Sequence, residues 1–290
     1  MAANTRDIRR RIKSIKNTAQ ITKAMQMVAA AKMRKAQQAA LAGRPYAEMI
    51  SRVLSDLKER ADAHLHPLLE VRPVKKELVL VITTDKGLCG ALNTNLLREV
   101  SQFDAEKTGF VTSGRKGVQY LHRTKRTIVA DFPLHDAIGV RDTKPVSKFL
   151  IEKFLSGEFD KISVLYTRFV NTLTQAPTVR TLLPISHAEL GGKAAATEEK
   201  PRENITDYLY EPDAGEVLSA ILPHYVHFLV YQMLLDARAS EQSARMVAMK
   251  NATDNAKQLI KDLTLEYNKI RQAAITTQLL EIATAQMALG

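Results

Sequence analysis

The chain has 290 residues, 45% of them hydrophobic, which is enough apolar material for a sizeable core in one or two domains. Its formal charge of +11 points to an acidic partner, whether nucleic acid, anionic lipid or protein. Cys89 is the only cysteine, which excludes a disulfide framework, a cysteine-based zinc site and a dithiol switch; no apolar run approaches the roughly 20 residues of a bilayer span, so a soluble or peripheral protein of a reducing compartment is expected.

The first residues, MAANTRDIRRRIKSIK, are Arg-rich and acid-poor, as mitochondrial targeting peptides are. The pattern does not stop there, however. Ile8, Ile12, Ile15, Ala19, Thr22, Gln26, Ala29, Met33, Ala36 and Ala40 step by threes and fours, which predicts one long helix of the folded protein. Between Met1 and Arg44 stand eleven basic residues against one acid, Asp7. Solvated helix faces usually mix signs for pairing one turn apart, so this face is expected to meet an acidic partner. Nucleic acid is one candidate by charge, and a basic coiled coil that binds it is the alternative reading. Against it, Trp is absent and no Phe or Tyr precedes Tyr46, so stacking platforms for single strands are missing.

Glycine and proline divide the chain. Every proline lies between Pro45 and Pro223, and every glycine between Gly43 and Gly215 except Gly290. Inside a helix Gly costs about 1 kcal/mol and Pro about 3, so two breaker-free arms flank a punctuated middle. A kink or helix break is expected near Pro45 and near Pro223. The predicted organisation is a first helical arm over 1–60, an inserted domain over 70–207, and a foot with a last helical arm over 208–290.

The middle alternates strands and helices. KELVLVITT (76–84) is a buried-strand run followed by a turn and helix; TGFVTSG (108–114) leads into RKGVQYL, KPVSKFLIEKFLSG (144–157) reads as a helix, and KISVLYTRFV (161–170) and PTVRTLLPI (177–185) as strands. Strands separated by helices imply an α/β domain with a mostly parallel sheet. Residues 189–204 are polar and read as a surface loop.

Phosphates bind at Gly-rich turns after such strands, and TTDKGLCG (83–90) and TSGRKG (112–117) are the two candidates. Neither is G-x-x-x-x-G-K-[ST] nor G-x-G-x-x-G, and tight strand-to-helix turns account for both. Cys89 has no local base and reads as a packed small hydrophobe. His224 and His227 share a helix face and His64 alternates with His66, with no carboxylate beside either pair in ligand register.

The last arm repeats the seam of the first, through Met246, Met249, Thr253, Ala256, Ile260, Leu263, Tyr267, Ile270, Ala274, Thr277, Glu281 and Thr284. The seven-residue repeat predicts that the arms pair with each other as an antiparallel, left-handed coiled coil. Off that seam lies a second apolar set: Ile21, Met25 and Val28 on the first arm and Ile275, Leu279 and Ile282 on the last. Either the inserted domain or an outside partner covers it. The domain is expected at the far end of the coil from 275–282, which favours an outside partner.

Five segments together resemble the gamma subunits of F-type ATP synthases: IRRRIKSIKNTAQITKAMQMVAAAKMRKAQ, TTDKGLCGALN, YLYEP, ASEQSARMVAMKNATDNA and YNKIRQAAITTQLLEI, in that order along the chain. The resemblance implies a central stalk. Its asymmetric coiled coil would turn inside a ring of three alpha and three beta subunits, with the inserted domain below, at the epsilon subunit and the membrane-embedded c-ring. Such a subunit has no catalytic residue, cofactor or metal of its own and takes no small-molecule substrate. Ion flow turns it, and the turning drives the beta sites through their catalytic states.

By that resemblance Lys23, Met25, Arg245, Gln272 and Thr276 match positions that engage beta-subunit loops. Tyr208, Tyr210 and Glu211 match the foot near the c-ring and epsilon. Ile275, Leu279 and Ile282 are read as an apolar bearing, because nondirectional apolar contact changes little as the helix turns, whereas each hydrogen bond to a fixed sleeve is a detent of about 1.5–3 kcal/mol where a charge is involved. The family motif starts within a few residues of Met1, so the expected location is peripheral, on the cytoplasmic side of a bacterial inner membrane.

Overall fold

Without Gly or Pro, residues 2–42 form one helix, α1 (Ala2–Ala42), and α2 (Arg44–Arg60) begins one residue on, so the expected break near Pro45 is a turn at Gly43 with Pro45 in the first turn of the new helix. A computed structural model describes residues 2–60, 66–133, 138–185, 211 and 213–289. Then come β1 (Glu77–Ile82), α3 (Leu92–Glu99), β2 (Thr108–Ser113), α4 (Arg115–Arg123), β3 (Ile128–Asp131), α5 (Val140–Leu155), β4 (Lys161–Phe169), β5 (Gln175–Leu183) and α6 (Ala214–Leu289). Pro223 leaves no gap in α6, which runs 76 residues; the buried Leu222, Tyr225 and Val226 around it hold the chain helical where one backbone donor is lost.

The chain divides into two compact units, Met1–Ala31 with Arg245–Gly290 and Lys32–Ala244. In the first, α1 and the later part of α6 run antiparallel. Thr22 and Thr253 join their hydroxyls at 2.7 Å, and the Arg9 Nη2 donates to Tyr267 Oη at 2.7 Å while its guanidinium sits 5.5 Å from the Tyr267 ring centre. The predicted seam is the covered face: Ile8, Thr22, Ala29, Met249, Thr253 and Ala256 are buried, and Ile12, Ile15, Ala19, Ile260, Leu263, Tyr267, Ile270, Ala274 and Thr277 half-buried.

The second unit is built on a five-stranded sheet of order β3-β2-β1-β4-β5. β1, β2, β3 and β4 are parallel, and β5 returns antiparallel to β4. Alternation along β1 sorts its side chains between two layers. Leu78, Leu80 and Ile82 join a core with α2, α5 and the first turns of α6, whereas Val79 and Val81 pack with Leu96, Leu97, Phe110 and Leu121 beneath α3 and α4. β3 is four residues long and only half-buried at the sheet edge, which is why the sequence pattern does not announce it.

One 18-residue window within α6 reaches a mean hydropathy of 1.3, enough by composition for a bilayer span. In the structure Leu218, Leu222, Val226, Val230, Met233 and Leu234 of α6 are core residues of the α/β unit. The hydropathy there is a helix packed against a sheet.

Candidate functional site

Two places in the molecule bear on function: the outer surface of the helix pair and the crevice at the carboxyl ends of the strands. On the helix pair the spacing from Arg9 to Thr22 nearly equals that from Thr253 to Tyr267, so Ala2 falls level with about Ala274. From there α6 runs on without α1 beside it. Thr277 is the last half-buried position, and residues 278–287 are exposed all round. The seam expected to include Glu281 and Thr284 therefore stops at Thr277, because the partner helix begins there and no described residue takes its place.

This overhang carries the second apolar set. Ile275 is 48% exposed and Leu279 and Ile282 are 63% exposed, with Leu280 at 60% beside them. The hydroxyls here are turned inward to the helix itself: Thr276 Oγ1 donates to Gln272 O, Thr277 Oγ1 to Ala273 O and Thr284 Oγ1 to Leu280 O, at 2.9–3.0 Å. The hydroxyls of this surface are thus satisfied from within, and Gln278, Glu281 and Gln286 are its remaining polar side chains. On α1, Ile21 and Val28 are exposed like the tip residues, whereas Met25 is half-buried, so that stripe is not uniform. The basic side chains from Arg6 to Lys35 are exposed, and the segment's one acid, Asp7, is taken by Arg10 at 2.8 Å.

The remaining predicted contact residues lie apart from one another. Lys23 is exposed and reaches Gln26 Oε1 at 3.4 Å; Gln272 is exposed one turn before Ile275, and Thr276 is exposed within the apolar tip. Arg245 is only 9% exposed, which leaves an outside partner its edge alone. Glu211 is exposed, and Tyr208 and Tyr210 lie outside the described residues, as does His64.

The crevice is where an open parallel sheet would take a nucleotide, beside the switch point between β1 and β4. Here the anion-binding groups are already in use. At the start of α4, Arg115 N donates to Asp85 Oδ1 at 3.1 Å, Lys116 N to Thr84 O at 3.1 Å and Gly117 N to Thr83 Oγ1 at 2.8 Å. Asp85 thus occupies, as a carboxylate, the position a phosphate would need. Gly114, at φ 109°, lies so close to Thr83 that an added Cβ would be 2.3 Å from its carbonyl oxygen, so the turn serves tight packing.

Asn93 pins the other candidate turn, accepting from Thr84 N and donating to Thr84 Oγ1 and Cys89 Sγ. Cys89 is 3% exposed, packed as its sequence context implied. Leu234, Ala237, Arg238 and Glu241 of α6 close the crevice from above and leave about 30 Å³, against the several hundred of an ordinary ligand pocket. Thr167 Oγ1, buried and without a hydrogen-bond partner, faces this remnant, which has room for water. Arg238 and Glu241 pair there at 2.7 Å.

His227 bonds through Nδ1 to the buried Ser147 Oγ on α5. Burial holds its pKa below the usual imidazole value, with His224 and Lys144 adding to the effect. Burial also lowers that of His66, whose Nδ1 accepts from Leu68 N at 3.2 Å. No group of three or more His, Cys, Asp or Glu among the described residues is placed to hold a metal.

The sequence reading missed Ser240 and Ser243, both fully buried, which donate to the main chain of the β4–β5 hairpin at Thr167 O (2.9 Å) and Thr172 O (2.8 Å). The signal available was ARASEQSA (237–244), a polar interruption with no large apolar side chain inside an otherwise apolar helix.

A long helical arm at each end of the chain, and between them an α/β domain whose ligand crevice is filled by its own side chains, define a protein that presents surfaces to partners. The family model described as ATP synthase matches residues 4–289. Among curated relatives, the ATP synthase gamma chains of Methylacidiphilum infernorum and Opitutus terrae are 53% and 50% identical, each aligned over 99% of this chain and 100% and 99% of their own. The chain belongs to the ATP synthase gamma chain family. Among solved structures, a chain of the Tetrahymena thermophila mitochondrial ATP synthase central stalk and c-ring matches at TM-score 0.60 and 25% identity over 80% of this chain and 99% of its own. A chain of the Euglena gracilis mitochondrial ATP synthase matches in fold at TM-score 0.70 and 21% identity, over 100% of this chain and 95% of its own.

Proposed function

We infer that this chain is the rotor of an F-type ATP synthase and has no active site of its own. The helix pair would turn inside a sleeve of three alpha and three beta subunits, and the inserted domain would meet the epsilon subunit and the c-ring, on the cytoplasmic side of a bacterial inner membrane. The observation that carries this reading is the overhang of α6, an apolar helix end with inward-bonded hydroxyls and a single charge, Glu281, from Gln272 on. A solvated helix end gains nothing from Ile275, Leu279 and Ile282 on its surface; a sleeve that must let it turn does.

Lys23, Met25, Gln272, Thr276 and the edge of Arg245 would meet beta-subunit loops at particular angles, the exposed cations of α1 would face acidic surfaces, and Glu211 would stand in the foot. Met25, Met27, Met246 and Met249 suit a surface that repacks against three different neighbours, since Met adapts its shape at low cost. The test is a tagged chain carrying Ile275→Asp, Leu279→Asp and Ile282→Asp. Impaired assembly with alpha and beta, or impaired ATP synthesis by the assembled complex, is expected. Normal recovery and normal synthesis would overturn the bearing, and a wild-type chain recovered without alpha and beta would overturn the rotor.

A further inference from the structure

Along α6 the hydroxyl side chains divide into two kinds. Ser219, Thr264, Thr276, Thr277 and Thr284 all donate to a carbonyl one turn back in their own helix. Ser240 and Ser243 do not. They sit one turn apart, each with no exposed surface, and reach out to a different element: Ser240 Oγ to Thr167 O at 2.9 Å and Ser243 Oγ to Thr172 O at 2.8 Å.

The hairpin answers with Gln175, whose Nε2 lies 3.0 Å from Thr172 O, 3.2 Å from Asn171 O and 3.5 Å from Ser243 Oγ. Between the two serines Glu241, 5% exposed, pairs with Arg238 at 2.7 Å, and Gln242 is 3% exposed. The helix is therefore enclosed on every side across residues 239–243, and its two serines are held there by hydrogen bonds to the hairpin.

We propose that Ser240 and Ser243 key α6 rotationally to the β4–β5 hairpin, so that torque delivered to the α/β unit enters the long helix at this point. Apolar packing resists separation but has little preference for angle, so a helix held only by leucines can roll by small repacking steps. A hydroxyl bonded to a fixed carbonyl weakens steeply as its angle departs from the optimum. Two such bonds a turn apart oppose rolling of the helix about its axis. The same physics that calls for no outward hydrogen bonds at the turning tip calls for them at the base.

Ser240 and Ser243 are positioning residues: they touch no nucleotide and act through the helix. The small side chains of ARASEQSA let the hairpin approach closely enough for hydroxyl-to-backbone bonds.

The proposal rests on the rotor reading. Its test uses the assembled ATP synthase, with a probe fixed at Gln102→Cys, an exposed position at the end of the short 3-10 helix Val100–Gln102 in the α/β unit, and records the angular spread of the probe during pauses. Ser240→Ala/Ser243→Ala is compared with Leu150→Ala, a fully buried core residue of the same unit. The serine variant is expected to lose torsional stiffness, seen as a wider spread, while ATP hydrolysis persists; Leu150→Ala should lower the thermal midpoint and leave the spread unchanged.

Unchanged spread in the serine variant overturns the key, and so does equal widening in Leu150→Ala. If the double variant does not assemble, Ser243→Ala and Gln175→Ala are each measured alone, and unchanged spread in both overturns it. A wild-type complex whose probe does not turn would overturn the rotor reading itself.

Discussion

Thr22 on α1 and Thr253 on α6 meet across the helix pair with their hydroxyl oxygens 2.7 Å apart, both buried. Thr253 Oγ1 also lies 2.8 Å from Met249 O and Thr22 Oγ1 3.1 Å from Ala19 O, so whichever hydroxyl donates across the pair, the other has a carbonyl of its own helix for its proton. Thr22→Val or Thr253→Val alone should destabilise the pair by about 1 kcal/mol, and the double variant by little more than the worse single, since no lone hydroxyl then remains at the crossing. Urea unfolding of the four proteins checks this; strictly additive losses would mean the hydroxyls do not act as a pair.

Asp85→Ala removes the acceptor of the first N–H of α4. A loss of about 0.5–2 kcal/mol is expected, as for other helix caps, read as a lower thermal midpoint. Gly114→Ala should be far worse, because the added Cβ falls 2.3 Å from a backbone oxygen at a φ that L residues avoid. Soluble expression of both variants at equal levels would contradict that ranking.

Glu241→Ala removes the carboxylate that Arg238 Nη1 reaches at 2.7 Å, at a place where the two side chains are 13% and 7% exposed. We expect a loss of about 3 kcal/mol or more, with Arg238→Met/Glu241→Leu milder than the single change because both members of the pair are then replaced by apolar side chains. Chemical denaturation of the purified chain gives both values, and a milder single variant would refute the account.

His227 and His66 both have pKa values held below the usual 6.5, chiefly by burial. The unfolded chain therefore binds more protons than the folded one as pH falls through 6.5, so stability should be fully present above that value and decline below it. Ser147 Oγ also lies 3.1 Å from Thr143 O and 3.2 Å from Lys144 O, carbonyls that can take its proton when His227 donates from Nδ1; which of the two donates follows the imidazole tautomer. His227→Asn keeps a donor near that place and removes the titration. Its thermal midpoint should fall less than the wild type's between pH 7.5 and pH 5.5; equal slopes would remove His227 from the effect.

Much of this fold was legible because its signals are local. The three-four spacing from Ile8 to Ala40 and from Met246 to Thr277 marks the covered face of each arm, and the unbroken apolar run in ELVLVI marks a strand buried on both sides. β3 was not legible, being four residues at a sheet edge, nor was the antiparallel return of β5. A strand's own residues do not say which neighbour it pairs with. At the candidate site the apolar stripe Ile275, Leu279 and Ile282 could be read from the chain, whereas the burial of Arg245 and the half-burial of Met25 could not.

The sequence by itself determined the two breaker-free arms, their seven-residue seam, the basic surface of the first and the apolar end of the last. These follow from the geometry of single helices, in which spacing along the chain is position around the axis. Only the tertiary structure decided that the seam ends at Thr277, that Asp85 fills the place of a phosphate, and that Ser240 and Ser243 bond outward while Thr276 and Thr277 bond to their own helix. A hydroxyl has the same chemistry at each of those positions. What it bonds depends on which distant segment folding brings within about 3 Å, and a local pattern does not contain that information.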